Sequence, residues 1–299
     1  MNWAEISEAV FNFSNYGELL PLFRDTLIAG AILGVVGGLI GTFVMMRDLA
    51  FAVHGIAELS FAGAAFALLI GADVIFGSLA GSVLAALLLG VMGVRAREKN
   101  SVIGVIMPFG LGLGILFLSL YEGRSANKFG LLTGQIVSVD STQLSVLAGT
   151  ALVVVAGLAL MWRPLTFASV DPDIATARGV PVRTLSLAFM FLLGIAVALS
   201  IQVVGALLVL ALLITPAAAA LQVTAAPRMV VFLSVAFAMV STVGGIMLAL
   251  GGSLPISPYV TTLSFAIYVF ARIAGAWRRR RGWAARPAAA QGAPQSLAG

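Results

Sequence analysis

The run TLIAGAILGVVGGLIGTFVMM, residues 26–46, contains no charged residue and no strand-like alternation of apolar and polar positions. A helix needs about 20 predominantly apolar residues to cross a bilayer. Inside lipid the backbone must satisfy its own hydrogen bonds, which an α-helix does within one segment. The run therefore predicts a membrane-spanning helix, and similar apolar runs recur along the chain.

The overall composition supports the same interpretation. Of 299 residues, 61% are hydrophobic and 10% are charged, with a mean hydropathy of +1.09, whereas a soluble domain carries about 25% charged residues. We therefore expect an all-α, polytopic membrane helix bundle in contact with lipid. The absence of cysteine excludes disulfides, thiolate metal sites and thiol catalysis. The pI is near 10.2, but the basic residues do not cluster on one amphipathic domain, so we expect no nucleic-acid partner.

Nine apolar segments are candidate spans: 26–46, 49–70, 74–94, 102–120, 144–161, 186–203, 205–221, 229–250 and 259–276. Only Val204 separates the sixth segment from the seventh, which starts at Gly205, so these two segments form either a tight hairpin or one interrupted element. The bundle therefore has eight or nine spans. The predicted divisions are an N-terminal extracytoplasmic segment, 1–25, a transmembrane domain, 26–276, and a basic, disordered cytoplasmic tail, 277–299.

The distribution of basic residues predicts the orientation. With the N-terminus outside and nine alternating spans, most basic residues fall inside, including Arg47 and the run at 278–281. Only Arg24, Arg124 and Lys128 fall outside. Cytoplasmic loops carry an excess of Lys and Arg, so we expect the N-terminus outside and the C-terminus in the cytoplasm. With eight spans, one end would change sides.

The inside loop at 163–185 contains signals for a short helix. Asp171 is a suitable N-cap, Pro172 and Asp173 suit the first turn, and Gly179 followed by Pro181 ends the helix. The helix is either a connector on the membrane surface or a docking element for a cytoplasmic partner.

The seventh segment contains its own interruptions. Gly205 stands at its start, and Pro216 inside it removes a helical hydrogen bond and kinks or breaks the helix. These two residues act either as a gate or hinge or only as features of a kinked, tightly packed helix.

His54, the only histidine of the chain, and Glu58 lie in an otherwise apolar or small run. Residues four apart share one face of a helix, so both side chains can reach the same ligand. Ionisable residues inside spans are rare and usually face a bundle interior or an aqueous cavity. The pair is therefore either a contact between helices or part of a transport pathway. Asp73 and Asp140, at predicted outside ends of spans, are more typical of solvated helix ends than of a cation-attracting ring.

Three stretches occur in one order: VMMRDLAFAVHGIAELSFAG, the loop pattern DPD-x-A-x-x-x-G, and LLVLALLITPAAAA. Together they resemble the membrane subunit of bacterial ABC importers for zinc, manganese or iron(II), the ABC-3 metal permease family. The resemblance extends from about Thr26 to Ile273 and implies the helical fold of a type II ABC importer.

This resemblance implies specific partners. Two permease copies would form a homodimer around one central pathway in the bacterial inner membrane. The helix near Asp171–Gly179, with Asp173 and Ala175, would dock into a cytoplasmic ATP-binding subunit, and an extracytoplasmic metal-binding protein would deliver the ion. The chain has no G-x-x-x-x-G-K-[ST] phosphate loop, so we expect a transport subunit that is not itself an enzyme.

The resemblance also gives the ionisable pair a role. The family typically has G-D-A-L-S-H-A at this place, so His54 stands where Asp is usual and Glu58 where His is usual. Imidazole and carboxylate bind zinc and also suit manganese and iron(II), and two copies would offer four ligands. We expect no stably bound cofactor but a divalent cargo, zinc or manganese first and iron next. The alternative is an ion-gradient-driven secondary transporter with His54 and Glu58 as a proton relay.

Overall fold

The computed structural model describes residues 16–92, 96–123, 131, 140–205, 208–250 and 255–284. Over these ranges the chain forms helices and no strand. The helices are α1 (Tyr16–Leu22), α2 (Arg24–Met46), α3 (Ala50–Leu69), α4 (Val74–Met92), α5 (Ala96–Leu120), α6 (Ser141–Val170), α7 (Pro172–Ala177), α8 (Val182–Val204), α9 (Val209–Leu213), α10 (Thr215–Val223), α11 (Pro227–Ala249) and α12 (Ile256–Ala284).

Eight of these helices are long and apolar enough to cross a membrane, namely α2 to α6, α8, α11 and α12. They coincide with eight of the nine predicted segments, which confirms the prediction of a polytopic helix bundle. The buried core is built mainly on α2, α3 and α8, while α4, α5, α6 and α12 leave most of their surface uncovered.

The seventh segment, 205–221, is not the single span that the apolar pattern predicts. Helix α8 ends at Val204, and the following Gly205 caps it with a φ of 85°, a conformation that favours glycine. The chain resumes as two short helices, α9 and α10, and Pro216 lies in the first turn of α10. Proline is tolerated there because the N–H groups of a first turn have no helical partner. The predicted break therefore exists, and it divides the segment.

Helices α9 and α10 nevertheless carry the chain along the bundle. Leu212 of α9 lies against Gly37 of α2. At the far end of α10, the Val223 carbonyl accepts a hydrogen bond of 3.2 Å from Arg278 of α12. This contact places the end of α12 beside the start of α11, at the opposite end of the bundle from the start of α2.

Glycines set the spacing of the central helices. The backbone of α2 at Gly38 lies so close to α11 that an added Cβ would be 2.5 Å from Val235 Cα. Ser234 uses this approach to donate a hydrogen bond of 2.9 Å to the Gly38 carbonyl. Helices α3 and α4 approach in the same way at Gly63 and Gly77, so α3 is held against its neighbours by backbone contact.

Two predicted domain boundaries differ from the helix ends. Helix α2 begins at Arg24, before the predicted start of the transmembrane domain at 26, and the short helix α1 lies within the predicted extracytoplasmic segment, 1–25. Helix α12 continues through Ala284, past the predicted start of the tail at 277. The rest of the predicted tail, and residues 124–130 of the predicted outside loop with Arg124 and Lys128, lie outside the described residues.

Candidate functional site

The structure brings His54 and Glu58 together on α3. His54 Nε2 and Glu58 Oε1 are 3.8 Å apart, and the side chains are 35% and 14% exposed. They share a helix face with the exposed Phe51 and Phe66. Because α3 is otherwise largely buried, this face is the side of the helix that the described chain leaves least covered, although Ala62 within it is buried and Phe66 packs on Phe117 of α5.

The backbone that carries the pair is closely held. An added Cβ at Gly110 of α5 would lie 3.0 Å from the Glu58 carbonyl carbon, and Gly55, next to His54, faces Ile103 and Met107 of α5. On the opposite side of α3, Ser60 bonds the carbonyl and hydroxyl of Ser78 in α4, both at 2.9 Å. The pair therefore lies on a helix whose position is fixed by contacts with α4 and α5.

The pair can bind a cation, but one chain supplies an incomplete site. Bonds from zinc to nitrogen or oxygen ligands are about 2.0–2.2 Å long, so one ion can contact both atoms after a small side-chain rotation. In the described part of the chain, no cluster of three or more His, Cys, Asp or Glu side chains could hold a metal. The buried Nδ1 of His54 has no hydrogen-bond partner among these residues.

The predicted short helix between spans is α7. Asp171 caps it by accepting a hydrogen bond of 2.9 Å from the Ile174 N–H, and Pro172 occupies its first turn. Gly179, at φ 81°, ends it: its N–H bonds Thr176 O at 2.9 Å, and the next N–H bonds Ala175 O at 3.0 Å. These are the two hydrogen bonds of a Schellman motif.

Helix α7 has one buried face and one free face. Ala175 is fully buried and packs with Ala168 and Leu185 of the adjoining helices. Asp173 and Ile174 are exposed, Ile174 by 51%. The helix therefore presents an acidic and an apolar side chain on a surface anchored to α6 and α8. Helix α9 of the broken segment contacts α3, which carries the His54–Glu58 pair.

Arg47 is a residue that sequence reasoning did not single out. It follows α2, and its guanidinium donates hydrogen bonds to Ser169 Oγ at 3.3 Å and to Ser186 Oγ. It also lies 5.7 Å from the centre of the Phe189 ring. Burial lowers the pKa of Arg47 from its ordinary value. An arginine after an apolar span indicates only the positive-inside bias, so no sequence signal distinguishes this one.

Asp73 and Asp140 line one cavity of about 320 Å³ at the end of the bundle opposite Arg47. Both carboxylates are engaged as helix caps: Asp73 accepts from the Ile75 N–H at 2.7 Å, and Asp140 from the Thr142 N–H at 2.5 Å. These contacts support the interpretation as helix ends.

The bundle, the ionisable pair inside a span and the exposed helix between two spans define a class of protein, the multi-pass membrane permeases. The chain matches the ABC 3 transport family over residues 20–275 and belongs to that family.

Characterised relatives are consistent with this assignment. The chain is 31% identical over 224 residues to the manganese transport system membrane protein MntC of Halalkalibacterium halodurans, covering 75% of this chain and 77% of that protein. It is 23% identical over 252 residues to the high-affinity zinc uptake system membrane protein ZnuB of Haemophilus influenzae, covering 84% and 97%. The solved structure of PsaBC from Streptococcus pneumoniae in complex with Fab matches with a TM-score of 0.77 at 24% identity, covering 87% of this chain and 95% of that one. At this identity the structural match shows the fold.

Proposed function

We propose that the chain is the membrane-spanning permease subunit of an ATP-driven importer of divalent transition metal ions, with manganese or zinc as the cargo. The observation that carries the proposal is the His54–Glu58 pair, with 3.8 Å between Nε2 and Oε1, on a span inside the region that matches the family. The names of relatives that transport manganese and zinc support this choice of cargo. Iron(II) is the next candidate, since the same ligands suit it.

A second copy of the chain completes the site. One pair provides two ligands, whereas zinc prefers four, and the uncovered face of α3 carries the pair. Two copies facing each other across this surface would offer two imidazoles and two carboxylates to one ion. The homodimer therefore follows from the incompleteness of the single-chain site.

The site suits transient binding. A histidine that binds a resident metal usually donates its other ring N–H to a carboxylate, a carbonyl or water, and losing that partner costs about 10–100-fold in affinity. His54 Nδ1 has no protein partner among the described residues. Weak binding is an advantage in a pathway, because an imported ion must also leave.

We assign one partner to each end of the bundle. Helix α7, Arg47, Arg228 and the start of the basic run at Arg278 share one end, and by the positive-inside rule we assign it to the cytoplasm. An ATP-binding subunit would dock there on Asp173 and Ile174. The opposite end, with Asp73 and Asp140, would receive the ion from an extracytoplasmic metal-binding protein. With this orientation the N-terminus lies outside the cell, and the C-terminus lies on the cytoplasmic side of the cell membrane.

Metal accumulation measured by elemental analysis tests the proposal. Cells would express the permease with its ATPase and binding protein, and uptake of manganese, zinc and iron would be compared. We expect His54→Ala and Glu58→Gln to reduce uptake to background at unchanged membrane levels, because each removes a ligand. Leu160→Ala, at an 85% exposed position of α6 away from the pair, is the control and should transport normally.

Uptake at the wild-type level in both ligand variants would show that the pair has only a packing role. An ATPase subunit that cannot hydrolyse ATP tests the remaining alternative. Uptake that continues with this subunit would support the secondary transporter with His54 and Glu58 as a proton relay. Membership of the ABC 3 transport family argues against that outcome.

A further inference from the structure

The turn between α2 and α3 holds the Arg47 backbone in a fixed position. The Asp48 N–H bonds Met45 O at 3.4 Å and the Leu49 N–H bonds Val44 O at 2.9 Å, the Schellman pattern. Asp48 has a φ of 52°, the left-handed conformation that this motif requires. Leu49 is buried, so the turn is fixed to the core. Arg47 therefore leaves the backbone at a defined point, immediately before α3 begins at Ala50.

The side chain of Arg47 joins this turn to both flanks of α7. Ser169 lies at the end of α6, just before Asp171, and Ser186 lies in the second turn of α8, after Pro181. The two hydroxyls are therefore on the two chain segments that hold α7, and one guanidinium bonds both. The Ser169 O–H donates to Leu165 O at 2.6 Å, which leaves its oxygen free to accept from Arg47.

Packing alone does not explain the position of Arg47, because burying a charged side chain has an unfavourable free energy. Arg47 is half-buried, and in the described part of the chain no carboxylate pairs with it. Its guanidinium contacts two neutral hydroxyls and the Phe189 ring. Removing a charge from water without a counterion is unfavourable. A planar guanidinium, however, presents several donors in fixed directions, which suits simultaneous bonds to two separate helices.

We propose that Arg47 is a positioning residue that transmits motion of α7 to α3. The proposal rests on the proposed function, in which α7 docks on the ATPase and α3 carries the pathway pair. Movement of α7 displaces the ends of α6 and α8, and the two Arg47 hydrogen bonds carry that displacement to the α2–α3 turn. His54 lies one helical turn beyond Ala50, about 6 Å along the axis at 1.5 Å per residue, so the ligands move with the turn.

The test measures coupling in the reconstituted complex of permease, ATPase and binding protein. The Arg47→Lys variant keeps the positive charge, but the lysine ammonium does not present donors in the fixed directions of a planar guanidinium. We expect the complex to assemble and hydrolyse ATP, while metal transported per ATP falls about ten-fold or more, the size expected when hydrogen bonds from a charged group are lost. Arg228→Gln, at an exposed arginine of the same end, is the control and should leave this ratio unchanged.

A second pair of variants tests the hydrogen bonds themselves. Ser169→Ala combined with Ser186→Ala removes both acceptors and should lower transport per ATP as Arg47→Lys does. Ser169→Thr combined with Ser186→Thr keeps both hydroxyls and should restore it. Thermal stability of the purified permease, measured in parallel, separates this effect from a general loss of folding.

Several outcomes would overturn the inference. A wild-type ratio of transport to hydrolysis in Arg47→Lys would do so, as would loss of stability and coupling in equal measure with no rescue by the threonine variants. Failure of the proposed function is distinguishable, because the wild-type complex would then show no ATP-dependent metal uptake at all.

Discussion

At the scale of single residues, the molecule depends on positions where a side chain is absent as much as on those where it is present. Gly38 permits the contact between α2 and α11, and Gly110 permits the contact of α5 with the Glu58 backbone. Small residues allow such close approach between helices in a bilayer, where lipid supplies no hydrophobic driving force for association. The contact at Gly110 helps to fix the backbone that carries the ionisable pair.

We expect Gly38→Ala to destabilise the bundle. The new Cβ would lie 2.5 Å from Val235 Cα, a backbone atom that cannot rotate away, and overpacking of this kind costs about 1–3 kcal/mol. A thermal unfolding scan in detergent should show a lower melting temperature. Gly112→Ala is the matched control, since nothing lies within 4 Å of its added Cβ. Equal melting temperatures for the two variants would contradict the close α2–α11 approach.

The sequence predicts the residues of the site unevenly, for physical reasons. The His54–Glu58 contact follows from four-residue spacing on one helix, which is a local property. The role of Arg47 depends on Ser169 and Ser186, which are 122 and 139 positions away. Long-range contacts of this kind are set by the packing of three helices, and no spacing rule along the chain reveals them.

At the scale of elements, α7 shows how local signals are sufficient for a short helix. Its cap, its first-turn proline and its terminating glycine are each a local preference, and each was predictable. Its buried face was not, because the burial of Ala175 depends on Leu185 and Ala168 in neighbouring helices. The seventh segment shows the converse: apolar content predicts a span, but the backbone at Gly205 and Pro216 divides it.

We expect Asp173→Lys to uncouple the permease from its ATPase. Asp173 is exposed in the first turn of α7, so reversing its charge alters the docking surface without disturbing the buried Ala175. Co-purification with the ATPase and metal-stimulated ATP hydrolysis should both fall. Asp25→Lys reverses an acidic residue in the first turn of α2, at the other end of the bundle, and should leave both unchanged. Normal co-purification of the Asp173 variant would argue against docking at α7.

At the scale of the whole molecule, the two ends of the bundle differ in charge. Arg47, Arg228 and Arg278 lie at the end that carries α7, whereas Asp25, Asp73 and Asp140 lie at the other. The number of long apolar helices alone leaves the orientation open. The path of α9 and α10 between the two ends explains how eight long helices place the start of α2 and the end of α12 on opposite sides.

Single-cysteine labelling tests the orientation, and the natural absence of cysteine provides the background. We expect Glu122→Cys, at the predicted outside end of α5, to react with a membrane-impermeant maleimide in intact spheroplasts. Ile174→Cys on α7 should react only after permeabilisation. Labelling of Ile174→Cys in intact spheroplasts would reverse the assignment of both ends.

The broken segment also has a consequence for the match between protein and lipid. Residues Val209–Val223 extend about 22 Å at 1.5 Å per residue, less than the roughly 30 Å of a hydrocarbon core. A lipid-facing helix of that length would thin the bilayer or tilt its neighbours. Gly205 and Leu208, which flank the break, are buried, as are Leu212 and Leu213. The short passage is therefore largely shielded from lipid, and we expect changes in acyl-chain length to act mainly on α4, α5, α6 and α12, which leave most of their surface uncovered.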